Sequence, residues 1–167
     1  SSDLMEKIDW IKSKIKTLSE LQALSHTWKT LSKQIVFTNG CFDILHHGHL
    51  DLIAKAADQG NILVVGINSD ASVKRLKGAE RPINNENDRA FQMASLLCVD
   101  AVCIFEEDTP LATIEALQPQ VLVKGGDYTL DAIVGAPETI ARGGRVAIIP
   151  FVAGYSTTST INKIQNL

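Results

Sequence analysis

The periodicity of apolar residues changes once along this chain, near position 34. Before that point Leu4, Ile8, Ile11, Ile15 and Leu18 recur at intervals of 4, 3, 4 and 3 residues, the spacing of one helix face. Leu21, Leu24, Trp28 and Leu31 form a second stripe. Asp3 with Glu6, and Ser19 with Gln22, read as capping boxes for two helices. Beyond it, short continuous apolar runs alternate with amphipathic stretches. Strands are predicted over 35–37, 62–67, 101–105, 121–123 and 146–149. Helices are predicted over 49–59, 71–76, 86–97 and 138–141, with a further one from Pro110 capped by Thr109. A last helix, capped by Ser156 or Thr157, reaches about Gln165. Residues 1–34 are therefore read as a helical extension and 35–167 as the main domain. The apolar stripe of the extension must be buried, either on the main domain or in a homodimer.

Continuously apolar strands separated by helices imply a parallel sheet covered on both faces. Right-handed crossovers make it a doubly wound α/β sandwich. Ligands of such folds sit outside the carboxyl ends of the strands. The polar motifs of this chain follow Phe37, Ile67, Val123 and Ile149, so four loops can converge on one pocket.

Composition narrows the function classes. With 45% hydrophobic and 21% charged residues, the chain is a folded domain and not a disordered segment. Three cysteines, an odd number, exclude a disulfide-stapled scaffold and fit free thiols in a reducing compartment. A net charge of −3 and a pI of about 5.8 exclude a broadly basic nucleic-acid surface. A phosphate-bearing ligand must then be held by a local group of donors. No apolar stretch approaches the ~20 residues of a membrane span, and the first 16 residues lack a signal-peptide core. Cytoplasmic residence, without membrane or nucleic-acid partners, is the expectation.

The strongest local signal joins the first strand of the main domain to a helix: Thr38-Asn39-Gly40-Cys41-Phe42-Asp43-Ile44-Leu45-His46-His47-Gly48-His49. At a spacing of three, His46 and His49 project on one face of the first helical turn. Gly48 allows close approach to the backbone, and the helix N-terminus offers free N–H groups with a positive partial charge. The combination suits a phosphate, and imidazoles there can donate to phosphoryl oxygens that gain charge during transfer. The same cluster, with Cys41, Asp43 and His47, could instead bind zinc or merely cap the helix.

His46-His47-Gly48-His49, with the flanking Phe42-Asp43, resembles the His-x-Gly-His motif of the nucleotidyltransferase superfamily. Four further segments strengthen the resemblance. They are Asn68-Ser69-Asp70 leading to Lys74-Arg75-Leu76-Lys77, then Arg81-Pro82-Ile83-Asn84 followed by Arg89. Glu106-Glu107-Asp108 with Lys124-Gly125-Gly126-Asp127, and Gly154-Tyr155-Ser156-Thr157-Thr158, complete the set. Together they look like the heptose 1-phosphate adenylyltransferase domains of ADP-heptose synthesis, in a version without the sugar kinase that often precedes them.

The resemblance implies a Rossmann-like nucleotidyltransferase fold over 35–167. It also implies transfer of AMP from ATP to D-glycero-β-D-manno-heptose 1-phosphate by direct in-line attack, with Mg²⁺ accompanying the triphosphate. His46 and His49 are then the catalytic pair. Thr38, Gly40, Phe42, Asp43 and Gly48 are expected at the nucleotide, with Gly125 and Asp127 near the ribose or base. Ser156, Thr157 and Thr158 are expected to hold the β- and γ-phosphates. Asn68, Lys74, Lys77, Arg81 and Arg89 are candidates for the acceptor phosphate, and Lys124 for either side. No protein ligand set for a metal is expected. Two positions depart from glycerol-3-phosphate cytidylyltransferases: Phe151 stands where they carry Arg, and Asp51 where they often carry Lys. A cytidylyltransferase acting on a small polyol phosphate, and a non-catalytic nucleotide-binding module docking through the N-terminal helices, are the alternatives.

Overall fold

The computed structural model describes residues 4–167. Its centre is a five-stranded, all-parallel sheet: β1 (Ile35–Gly40), β2 (Ile62–Asn68), β3 (Ala101–Phe105), β4 (Val121–Gly125) and β5 (Arg145–Ile149), in spatial order β3-β2-β1-β4-β5. The chain winds outward from β1 to β3, then crosses back to lay β4 on the other side of β1. The carboxyl ends of β1 and β4 flank the switch point, where a doubly wound sheet opens a crevice.

Alternate residues of each strand feed opposite core layers. Val36, Val65 and Ile67 pack with Ile53 and Ala56 of α3 (His47–Ala57) and with Ala90 and Met93 of α5 (Glu86–Ala94). On the other face Ile35, Phe37, Val64 and Leu122 pack with Leu21 of α2 (Leu18–Thr30), Ile114 and Leu117 of α6 (Leu111–Leu117) and Ala136 of α7 (Ala136–Ala141). These side chains are at most 2% exposed. Short α4 (Asp70–Lys77) follows β2, and α8 (Thr157–Gln165) ends the fold. The doubly wound α/β expectation is met.

The N-terminal region departs from its pattern. Helix α1 covers only Lys7–Ser13. Residue Ile15, expected on the helix, forms a parallel bridge with Val102 at the edge of β3; the Lys16 and Val102 N–H groups donate to Val102 and Lys14 carbonyls at 2.7 and 2.8 Å. An open sheet edge competes for backbone groups, and Ile15 is apolar enough for either role. Lys14 is then drawn inward, its Nζ donating to the Val99 carbonyl at 2.8 Å. The capping box of α2 is Thr17 with Glu20, not Ser19 with Gln22. Asp3 of the other expected box lies outside the described residues. At α6 the N-cap is Pro110, and Thr109 makes no cap bond; its side of the loop lines a cavity instead.

Candidate active site

Strand β1 ends where the backbone must turn sharply into α3. Phe42 takes a left-handed φ of +47° and is 4% exposed, its ring 3.0 Å from where a Cβ on Gly40 would stand. His46 is the N-cap of α3, in extended conformation. A Cβ on Gly48 would lie 3.0 Å from His46 Cε1 and 3.2 Å from Tyr155 Cβ, so glycine is what lets these two side chains approach the first turn.

The two histidine rings stack, with centroids 3.8 Å apart and planes 21° from parallel. The His46 backbone N–H donates to His49 Nδ1 at 3.4 Å. Burial, then the neighbouring His46 and Lys77, push the His49 imidazole down to about 4, against an opposing pull from the Ile44 backbone. His49 is therefore neutral at pH 7. A neutral imidazole keeps one ring N–H and can donate through it. Burial also lowers His46, whose Nδ1 is enclosed without a partner.

Two cavities meet at His49. The larger, about 520 Å³, lies over the ends of β1, β2 and β4 and reaches Asp108, Thr109 and Pro110. The smaller, about 310 Å³, runs along the start of α3 to the start of α8. His49, Leu52, Lys77, Phe151 and Thr157 line both. Lys77 thus reaches the junction from α4, and Thr157 reaches it from α8.

The structure gathers most of the residues singled out by sequence. Gly40, Phe42, Asp43, Asn68, Arg81, Lys124 and Gly125 line the larger cavity; His46, Gly48, Ser156 and Thr158 line the smaller. Lys124 is partly buried, which lowers its pKa, and its Nζ lies 5.2 Å from the Tyr128 ring. Thr38 is 1% exposed, beneath the floor. Lys74 and Asp127 are exposed and line neither cavity.

Arg89 requires a correction. Expected at the acceptor phosphate, it is completely buried. Its Nε donates to the Asn84 carbonyl at 2.9 Å, Nη1 to the Cys41 and Asn68 carbonyls at 2.9 and 2.7 Å, and Nη2 to Asp70 Oδ1 at 2.8 Å. A guanidinium so committed is a tie between loops, not a ligand for a phosphate.

Asp43 forms a second tie. Its carboxylate is 2% exposed and accepts from Ile83 N–H (2.9 Å), Asn84 N–H (2.8 Å) and Arg81 Nε (3.0 Å). Burial alone would raise its pKa, but these donors outweigh it and hold the carboxyl below its ordinary value. Arg81 is thereby held at the cavity wall with its two Nη groups unpaired by Asp43. The apolar lining comes from Leu52 of α3 and from Tyr128 and Phe151 in loops; isolated large residues carry no sequence signature of a binding surface. Phe151 rests on Gly125, the last residue of β4, and on the following Gly126: a Cβ would come within 3.0 Å of its ring at Gly125 and 2.7 Å at Gly126.

Comparison with known proteins points to one family. A family model described as cytidylyltransferase-like matches residues 37–162. The bifunctional protein HldE of Geotalea uraniireducens is 58% identical over 153 residues, 92% of this chain and 31% of that protein. The HldE protein of Mesorhizobium japonicum is 53% identical over 154 residues, with the same coverages. The chain thus spans under a third of the length of these relatives. Among solved structures, a lipopolysaccharide core biosynthesis protein from Thermoplasma volcanium is 28% identical with a TM-score of 0.58, over 72% of this chain and 97% of that one. A pantoate-beta-alanine ligase from Francisella tularensis, 15% identical, shares the fold with a TM-score of 0.60 over 92% of this chain and 78% of its own.

Proposed function

The chain belongs to the cytidylyltransferase-like family of nucleotidyltransferases, and from that premise we propose that it transfers AMP from ATP to D-glycero-β-D-manno-heptose 1-phosphate. The products are ADP-heptose, a precursor of lipopolysaccharide core sugars, and pyrophosphate. The observation that carries the reading is the neutral His49, set at a helix N-terminus where two cavities join. The name of the Thermoplasma protein, a lipopolysaccharide core biosynthesis protein, supports the choice of pathway.

In this reading the triphosphate lies along the smaller cavity. Its β- and γ-phosphates meet Ser156, Thr157 and Thr158 at the start of α8, and its α-phosphate meets His46 and His49. The acceptor phosphate enters from the larger cavity, neutralised by Lys77, Arg81 and Lys124, with Asn68 at its wall. An acceptor phosphate oxygen, already ionised, attacks the α-phosphorus. The bond from that phosphorus to the oxygen bridging the β-phosphate breaks, and pyrophosphate leaves. The His49 ring N–H donates to the oxygens that gain charge, so the protein supplies position and charge stabilisation without a covalent intermediate. Phe151, an apolar surface on the Gly125–Gly126 backbone, offers the nucleobase a platform.

Mg²⁺ fits as a companion of the triphosphate. The Asp43 oxygens are occupied, and among the described residues no three His, Cys, Asp or Glu side chains gather as a ligand set. An ion that prefers phosphate oxygens and water needs no such cage; bound there, it supplies charge neutralisation. No helix of the described residues is long and apolar enough to cross a membrane. Leu4, Met5, Ile8 and Trp10 are exposed by 47–83%, and a homodimer through this face is the proposed assembly, checked by light scattering.

Pyrophosphate release with ATP and with CTP, over a panel of sugar and polyol phosphates, tests the reading. Turnover is expected with ATP and the heptose 1-phosphate. Turnover confined to CTP replaces the adenylyl assignment, and nucleotide binding without any turnover leaves a docking module.

A further inference from the structure

Tyr155 has no task in the reaction described above. It precedes Ser156, the N-cap of α8, and is 48% exposed. Its ring lies 6.2 Å from His46, within 22° of parallel, and 5.2 Å from His47 at a tilt of 54°. His46 in turn stacks on His49, and His49 meets Phe42 edge-on at 5.4 Å. Four rings from the β1–α3 turn, the first turn of α3 and the loop before α8 therefore form one column, with buried Phe42 at one end and Tyr155 at the other. The Phe42–His49 and His46–Tyr155 spacings are within the range of about 4.5–7 Å for favourable ring contacts, and the two imidazoles stack more closely still.

The column matters because hydrogen bonding does little to orient the His46 ring: it faces the His49 backbone N–H in a capping-box arrangement, yet makes no cap hydrogen bond of ordinary geometry. Its Nδ1 is enclosed without a partner, so Nε2 is the nitrogen left to meet the cleft. A histidine that works through one nitrogen normally has its ring orientation set by a bond to the other. His46 instead relies on packing, with His49 on one side and Tyr155 on the other. We propose that Tyr155 is a positioning residue for the histidine pair, holding the His46 imidazole in its working orientation by ring contact. The geometric claim is independent of the substrates; its effect on rate rests on the transfer proposed above.

The burial that lowers the His46 pKa supplies a readout. The titratable groups around the ring are His47 and His49 on α3, Lys77 on α4 and Tyr155 itself. The experiment follows the His46 Cε1–H resonance of the free protein against pH by NMR, together with kcat and the KM for ATP, in Tyr155→Phe, Tyr155→Leu and Tyr155→Ala. Tyr155→Phe is expected to match the wild type in all three. Tyr155→Ala should raise the His46 titration midpoint toward the ordinary 6.5 and lower kcat roughly 3- to 10-fold, with KM changed less than about twofold. Tyr155→Leu, which keeps apolar bulk but not the flat ring, should fall between, and serves if the alanine variant is unstable. The proposal is overturned if Tyr155→Ala leaves the His46 titration and kcat at wild-type values. It is equally overturned if Tyr155→Phe is as impaired as the alanine variant, since the hydroxyl and not the ring would then act. If the wild type transfers no nucleotide at all, the NMR comparison still decides the geometric claim, and only the function reading fails.

Discussion

The two walls of the cleft are held in opposite ways. On the β2 side, Arg89 binds carbonyls of residues 41, 68 and 84 together with the Asp70 carboxylate, and Asp43 binds the backbone of residues 83 and 84 and the Arg81 side chain. Asn68 Nδ2 adds a bond to Ser72 Oγ at 3.0 Å, and Ser72 Oγ donates to the Glu107 carbonyl at 2.8 Å. Buried and satisfied, this wall is set before any ligand arrives. On the α8 side the helix buries no residue, and Thr157 Oγ1 reaches the Ile44 carbonyl only at 3.4 Å. Phe151, in the loop before it, is 70% exposed. The contrast teaches where preorganisation resides. The wall assigned to the acceptor phosphate holds Arg81 in place through core-like hydrogen bonds. The wall assigned to the β- and γ-phosphates presents a helix N-terminus with little packing behind it, so ligand contacts contribute a larger share of its order.

Breaking the tied wall should have the largest effect. Arg89→Ala removes one partner of a buried, charged network and leaves Asp70 and three carbonyls short of a donor; a loss of about 3–5 kcal/mol is expected in urea denaturation. A loss below about 1 kcal/mol would mean that the wall is held by something else. At the junction of the walls, His49→Ala should lower kcat for pyrophosphate release by roughly 10²–10³, with little change in unfolding midpoint at pH 7.

The same residue makes the comparison pH-sensitive. Its folded-state pKa, about 4, lies below the ordinary 6.5, so between those values the unfolded chain binds a proton that the folded chain does not. Stability is therefore intact above pH 6.5, falls as pH drops toward about 4, and levels off below it as far as this group is concerned. Urea unfolding across that window should show a shallower decline in His49→Gln.

The loosely held wall should respond more weakly. Ser156 Oγ accepts from the Ser159 N–H at 3.0 Å, and Ser156→Ala should cost about 1 kcal/mol of local helix stability, seen as faster amide exchange in α8 and a raised KM for ATP. Smallest of all is the pair between Arg75 Nε and Asp108 Oδ1 on the outer rim of the tied wall. At 2.7 Å it is close, but both side chains are about half exposed. Arg75→Ala should change stability by less than about 1 kcal/mol.

Much of this was legible from residue order alone. Apolar runs and their intervals report which residues must leave water, and that demand produced the strands, the covered sheet and the placement of His46, His49 and Ser156 at helix starts. Local chemistry sufficed there because each motif carries its own backbone geometry. Other features depended on partners distant in sequence. Ile15 could serve a helix or a sheet edge, and the nearness of Val102 settled it. Arg89 and Arg81 are both cations beside a phosphate-type motif, yet one is consumed by carbonyls from three loops and the other lines the cavity. Tyr155 gains meaning only when the loop before α8 folds over Gly48. A side chain's type states what it can bind; the loops that fold against it determine which of those bonds are already made.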